Sequence, residues 1–231
     1  MITRRKDYHK LSPSKEASKI YIICEGNGSE PDYYHFFEGL SSNLQIIAVP
    51  SENGMTDPVK LLQLADSIFF GDLSRYTLDY MQKDQIWFAI DTDEWEQQGK
   101  IDILRRYCDE QNRAFPKKFD EVKSYPAWMV VQCNPCFEIW LYYHLYDLIP
   151  DIDEVGMYNS FKEFVDAKIP GGFNFQVHPV WLEEAVTNSE KHFQRDPHGK
   201  PTLFSTEKYL LGSVILSFCK KELDKLKNKL G

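Results

Sequence analysis

Four short apolar runs set the frame of this chain: 20–24, 44–49, 85–90 and 128–132. Each is dominated by branched or aromatic side chains and bounded by polar or turn-forming residues, which predicts strands buried in a sheet. Between the runs the apolar residues shift to helical spacing. Helices are expected from Ser29 to about Leu40, from Asp57-Pro58 to about Phe69, and over 100–111. Strands alternating with helices imply parallel βαβ units with right-handed crossovers. Beyond Pro135 the pattern is helical throughout, over 136–148, 160–167, 179–194 and 206–229, with no strand pattern recurring. The expected fold class is therefore α/β: a parallel sheet flanked by helices, with a C-terminal helical extension. The expected division is a basic arm over 1–18, an α/β core over 19–150, and a helical extension over 151–231 packed on the core.

Three of the four runs end in acids. Ile20-Tyr21-Ile22-Ile23-Cys24 ends in Glu25, Ile86-Trp87-Phe88-Ala89-Ile90 in Asp91 and Asp93, and Trp128-Met129-Val130-Val131-Gln132 in Asn134 and Glu138. In an open α/β sheet ligands bind at the carboxyl ends of the strands, and a group of hard oxygen donors there suits Mg²⁺ or Mn²⁺. Alternate residues leaving a strand point to one side, so Asp91 and Asp93 can face one ion; the bland alternative is a solvated acidic loop. Glu25 lies on the two-glycine turn Glu25-Gly26-Asn27-Gly28, after which Ser29 is positioned to cap a helix with Asp32 three residues on. Asn134 is expected to cap the next helix, with Pro135 in its first turn. Glu138 then reads either as an acid favoured by the helix dipole or as a further metal ligand.

Other chemistries find little support. G-x-G-x-x-G fails at Pro31, no G-x-x-x-x-G-K-[ST] occurs, and there is no G-x-S-x-G elbow. Cys133-x-x-Cys136 lacks the second ligand pair that zinc needs. His144 is off the helical spacing that would let it share a face with Glu138, and reads as a packed histidine.

The 231 residues carry a formal charge of -8, which argues against coating nucleic acid by bulk electrostatics. Positive charge gathers at the ends: Arg4, Arg5, Lys6, Lys10, Lys15 and Lys19 near the start, Lys220, Lys221, Lys225, Lys227 and Lys229 near the finish. Solubility and the helix dipole explain these ends, with phosphate contacts as the alternative. Five cysteines with no apolar leader imply reduced thiols and a cytoplasmic location, and no apolar run is long enough to span a bilayer. No membrane role is expected.

The blocks Ile22-Ile23-Cys24-Glu25-Gly26, Glu30-Pro31-x-Tyr33, Asp91-x-Asp93 and Asn134-Pro135-Cys136-Phe137-Glu138-Ile139-Trp140-Leu141 with His144 together resemble the RloB-like family. Ser205-Thr206-Glu207-x-Tyr209-Leu210-Leu211 resembles its closing motif, so the similarity spans about 18–216. The resemblance implies a Toprim-like core. It carries the glutamate after the first strand to Glu25 and the D-x-D pair to Asp91 and Asp93. Glu30 resembles the second acid of nuclease-type versions, although it stands five residues after Glu25 rather than four. Glu138 belongs to the family's own block, and a catalytic role for it is our inference.

The implied activity is Mg²⁺- or Mn²⁺-dependent phosphodiester cleavage of DNA or RNA, tRNA included, in antiphage defence. The implied partner is an ABC/AAA-type ATPase resembling RloA. Rival readings are a non-catalytic partner-binding or sensor subunit and an enzyme that makes phosphodiester bonds. A partner or a homo-oligomeric groove would supply the basic surface that the chain lacks.

Overall fold

The computed structural model describes residues 10–51, 56–72, 74–114 and 124–230. Half of the expected basic arm, residues 1–9, lies outside them. Strands β1 (Ser18–Cys24), β2 (Leu44–Pro50), β3 (Gln85–Asp91) and β4 (Trp128–Asn134) lie parallel, joined by a short antiparallel β5 (Ser205–Thr206), in the order β2-β1-β3-β4-β5. Helices α1 (Ser29–His35), α2 (Pro58–Phe69) and α3 (Lys100–Ala114) connect the parallel strands. Then follow α4 (Glu138–Tyr143), α5 (Ile152–Val155), α6 (Phe161–Lys168), α7 (Leu182–His192) and the long α8 (Lys208–Leu230). This is a mostly parallel, helix-flanked five-stranded sheet with a C-terminal helix, an α/β arrangement consistent with a Toprim-like core. Among the described residues no helix is long and apolar enough to cross a membrane.

Strand alternation divides the interior. Ile20, Ile22, Cys24, Trp87, Ala89, Val131 and Cys133 face one side, where α1, α4, α6, α7 and α8 bury Tyr33, Trp140, Phe164, Leu182 and Ile215. Tyr21, Ile23, Ile86, Phe88, Ile90 and Val130 face the other, under Leu61, Ile68 and Leu104 of α2 and α3. Both faces are covered, which is why the strand sequences read as continuous apolar runs rather than alternating ones. Each buried Val, Leu, Ile or Phe side chain among them contributes about 1.5–3 kcal/mol.

Several local expectations are corrected. The helix after β1 is regular only to His35; Phe36, Phe37, Glu38 and Leu40 then bond back three residues instead of four, a tighter winding that buries Phe37 and Leu40. Ser29 does not cap it: Gly28 is the N-cap, with no side-chain bond. Asn134 ends β4 instead of opening a helix, its Nδ2 donating to the Pro201 carbonyl at 2.9 Å. Pro135 follows through a cis peptide bond and precedes α4, whose N-cap is Phe137. The expected helix 136–148 shrinks to α4, and the helical part gains β5, because Thr206 and Ser205 find open backbone partners in Cys133 and Asn134 at the edge of β4. Asp57 does cap α2, accepting from the Val59 amide at 2.8 Å.

Gly212 of α8 marks a close helix contact. A Cβ there would lie 2.8 Å from Val186 Cγ2 and 2.9 Å from the Trp140 ring. Gly212→Ala gains about 1 kcal/mol of helix propensity but overpacks a tight contact, at about 1–3 kcal/mol. We expect a net loss of stability, read as a lower urea midpoint at unchanged m-value; a higher midpoint would contradict the packing.

Candidate functional site

The parallel register brings the ends of β1, β3 and β4 to one edge of the sheet. Glu25 follows β1, and its amide donates to the Ala89 carbonyl at 3.1 Å. Its carboxylate is buried and held at both oxygens: the Asp91 amide donates to Oε2 at 2.8 Å and Trp95 Nε1 to Oε1 at 2.9 Å. Burial pushes the Glu25 carboxyl up to about 7, against the pull of those two donors, with Glu30 and Asp93 adding to the rise.

Asp91 ends β3. Its Oδ1 is buried and has no hydrogen-bond partner among the described residues. Its carboxyl is raised well above the ordinary range by burial first, then by Glu30 and Glu25, with Glu138 contributing and Lys208 opposing. Asp93 sits at φ +30°, a left-handed conformation that aspartate tolerates better than most residues. Burial, then Glu94 and Glu138, raise it too. Thr92 between them is tied down, its amide and Oγ1 donating to the Cys133 carbonyl at 2.9 and 2.8 Å.

Glu30, in the first turn of α1, is engaged elsewhere. Oε2 accepts from the Gly26 amide at 3.0 Å and Oε1 from Lys208 Nζ at 2.6 Å. Lys208 is 1% exposed and lies over the rings of Phe137 and Tyr34. Burial is the largest influence and works against its charge, but the Glu30 carboxylate together with Tyr34 and Cys133 outweighs it and holds the ammonium protonated well above the ordinary lysine range. Glu138 opens α4 with Lys162 Nζ at 3.6 Å.

Electrostatics links the five acids read from sequence through Asp91, which feels Glu30, Glu25 and Glu138, and through Asp93, which feels Glu138 and acts on Glu25; they are in two different states. Glu25 and Glu30 are occupied at both oxygens, whereas Asp91 keeps a buried oxygen free. Among the described residues no set of three or more His, Cys, Asp or Glu side chains is gathered tightly enough to cage a metal ion. All five cysteines are free thiols, and Cys133 meets Thr206 Oγ1 at 3.0 Å. His144 is a packed residue: Nε2 meets Tyr33 Oη at 3.1 Å and Nδ1 the Trp140 carbonyl at 2.9 Å, and burial lowers it to about 3.

The chain matches the RloB-like protein family over residues 20–211. The chain belongs to the RloB-like family. No curated protein and no solved structure matches it.

In this RloB-like chain, sequence reasoning missed four supports of the acids. Trp95 holds Glu25. Gln132, fully buried on β4, donates from Nε2 to Thr92 Oγ1 at 2.9 Å and to Glu96 Oε2 at 2.8 Å, while its Oε1 accepts from Arg105 at 2.9 Å. Glu207, 1% exposed, accepts from Arg105 at 2.6 Å and from Arg195 at 3.1 Å. Lys208 neutralises Glu30. Glu207 and Lys208 lie inside the block 205–211; a lysine amid Thr206, Tyr209 and Leu210 was the one available signal of a buried charge.

Two expectations follow. Lys208→Met leaves Glu30 buried without its cation and should lose about 3–5 kcal/mol in urea denaturation, with much of the loss recovered in Lys208→Met/Glu30→Gln; equal losses in both variants would contradict the pairing. Glu25, raised from 4.5 to about 7, binds its proton more tightly folded than unfolded. Its contribution to stability is full below about pH 4.5 and is lost as pH rises through 7. Glu25→Gln should therefore flatten part of the decline in melting temperature across that window, and parallel wild-type and variant curves would count against the shift.

Proposed function

We propose that this RloB-like protein is a metal-dependent phosphodiester hydrolase that acts on DNA or RNA in antiphage defence, with an ABC/AAA-type ATPase as partner. The observation that carries the reading is the buried, unpartnered Asp91 Oδ1 at the carboxyl edge of a parallel sheet. A carboxylate oxygen cut off from water and hydrogen-bond donors is strongly disfavoured, and a cation is the partner that suits it.

The donor set fits Mg²⁺ or Mn²⁺. Mg²⁺ keeps several of its waters and needs only one or two carboxylates plus substrate phosphate, so the lack of a three-acid cage among the described residues does not conflict with it. Asp91 and Asp93 would hold the ion, with Glu25 as a further ligand or as a base. When bound, the ion would offset charge on the phosphoryl oxygens and activate water. The chain's own contribution is positional. Gln132 and the Cys133 carbonyl fix Thr92, and through it the two flanking aspartates. Trp95 and the Asp91 amide orient Glu25, which exchanges a proton near neutral pH. Lys208 holds Glu30 close to the acid group without adding net charge.

A non-catalytic partner-binding or sensor subunit is the second reading, favoured by the dispersal of the acids. Two measurements separate the two. Wild-type protein should bind Mn²⁺ by electron paramagnetic resonance titration, and Asp91→Asn should weaken binding by at least about tenfold. Single- and double-stranded DNA and RNA, tRNA included, should be shortened with Mg²⁺ present and left intact with chelator or with Asp91→Asn and Asp93→Asn. Mn²⁺ binding and nucleic-acid cleavage that both ignore Asp91→Asn and Asp93→Asn would sink the hydrolase reading, and longer products in the presence of nucleotides would replace it with synthesis.

A further inference from the structure

Among the described residues, large exposed apolar side chains are not evenly spread. Leu145, Leu148, Ile149, Ile152 and Met157 all fall within residues 145–157, and Leu148, Ile152 and Met157 are 67%, 63% and 75% exposed. The remainder are scattered singly between Leu11 and Leu203. Single surface hydrophobes are ordinary, but a concentration of them marks an interaction surface.

The segment is anchored from behind. Tyr146, Val155 and Tyr158 pack against the core, Pro150 is buried, and Tyr146 Oη donates to the Lys168 carbonyl. Its outward apolar side chains therefore face water while its backbone is held in place. Residues 145–157 contain Asp147, Asp151, Asp153 and Glu154 and no Lys or Arg. Asp147 pairs with Lys191 at 2.8 Å and Glu154 with Lys168 at 2.5 Å. Asp151 accepts only backbone amides, at the start of α5, and Asp153 has no cation among the described residues. Beside the apolar side chains, Asp151 and Asp153 are thus the two acids of the segment that no cation pairs among the described residues.

We propose that residues 145–157 form a docking surface for a helical segment of another protein that presents apolar side chains at i, i+3 and i+4 flanked by lysine or arginine. Charge selects this occupant. A second copy docking through the same face would set Asp151 and Asp153 against their equivalents. A second copy docking through α8 would offer lysines, but Ile215, Cys219, Leu223 and Leu226 of α8 are already buried in its own core. Helix-in-groove recognition needs an apolar face and gains orientation from flanking charge. The location adds meaning: α4, which starts at Glu138, enters this segment, and α6, which carries its partner Lys162, leaves it. The proposal stands independently of the hydrolase reading.

The probe is a fluorescein-labelled amphipathic peptide of leucine and lysine, with a leucine–glutamate peptide of the same pattern as control, titrated with the full chain by anisotropy. The leucine–lysine peptide should bind, less tightly in high salt, and shift backbone amide resonances of 145–157. Ile152→Ser/Met157→Ser removes two exposed side chains and should weaken binding by at least about tenfold. Asp153→Lys, which leaves the apolar surface intact, should weaken it about threefold. Unchanged melting temperatures would confirm that both variants fold. Absence of binding, equal binding of the glutamate peptide, affinity insensitive to both variants, or shifts confined to another region would each overturn the proposal. So would self-association of the wild type, by sedimentation, that Ile152→Ser/Met157→Ser abolishes, because the occupant would then be a second copy.

Discussion

A lysine ammonium with almost no access to water sits 2.6 Å from a buried glutamate, and the carboxylate edge of the sheet is organised around that pair. Lys208 opens α8 and Glu30 lies in the first turn of α1, elements far apart in sequence, so the pair fixes the longest helix among the described residues against the first crossover. Removing two charges from water costs several kcal/mol apiece, and only close geometry with further hydrogen bonds offsets it. Here Gly26 satisfies the other oxygen of Glu30, while Phe137 and Tyr34 present ring faces to the ammonium. Without Lys208, Glu30 would add an uncompensated charge to a group that already raises Asp91 and Glu25.

Beside this pair runs a second chain of polar contacts that does for the aspartates what Lys208 does for Glu30. Glu207 precedes Lys208 and accepts from Arg105 and Arg195; Arg105 reaches Gln132, and Gln132 reaches Thr92. Two consecutive residues at the start of α8 therefore act on the two halves of the acid group. Glu207 accounts for β5 as well, since its amide donates to the Gln132 carbonyl at 2.9 Å and holds the Ser205–Thr206 segment against β4.

The strands and the edge they share were legible because a sheet covered on both faces produces apolar runs that end abruptly, and the acids stand where the runs stop. Family resemblance added the weaker members Glu30 and Glu138. What sequence could not show is the state of each acid. Glu30 looks like Asp91 in sequence, yet it is neutralised by a lysine nearly the whole chain away, and no local pattern reports a contact of that separation. The short helices failed for a related reason: Phe37 and Leu145 lie in the expected helices, but their amides bond back three residues, tighter turns that three- and four-residue periodicity cannot distinguish. Asn134 was misread because capping chemistry at a strand–helix junction looks the same whether the residue closes the strand or opens the helix.

The energetic character of the site follows from these states. Glu25, Asp91 and Asp93 are each shifted upward, so each opposes folding in its charged form near neutral pH. A chain could avoid that by replacing Asp91 with an apolar side chain of similar size, since the surrounding residues of β3 are Ile90 and Ala89 and no hydrogen bond of the Asp91 side chain would be lost from Oδ1. Retaining a carboxylate there is destabilising in isolation. Any species that binds the folded form alone returns stability in proportion to the logarithm of its concentration over its dissociation constant, and a divalent cation returns most where negative charge is least compensated. In the hydrolase reading, a bound ion would relieve the same buried negative charge that destabilises Asp91, while the Lys208–Glu30 pair limits how much negative charge the fold must carry without it.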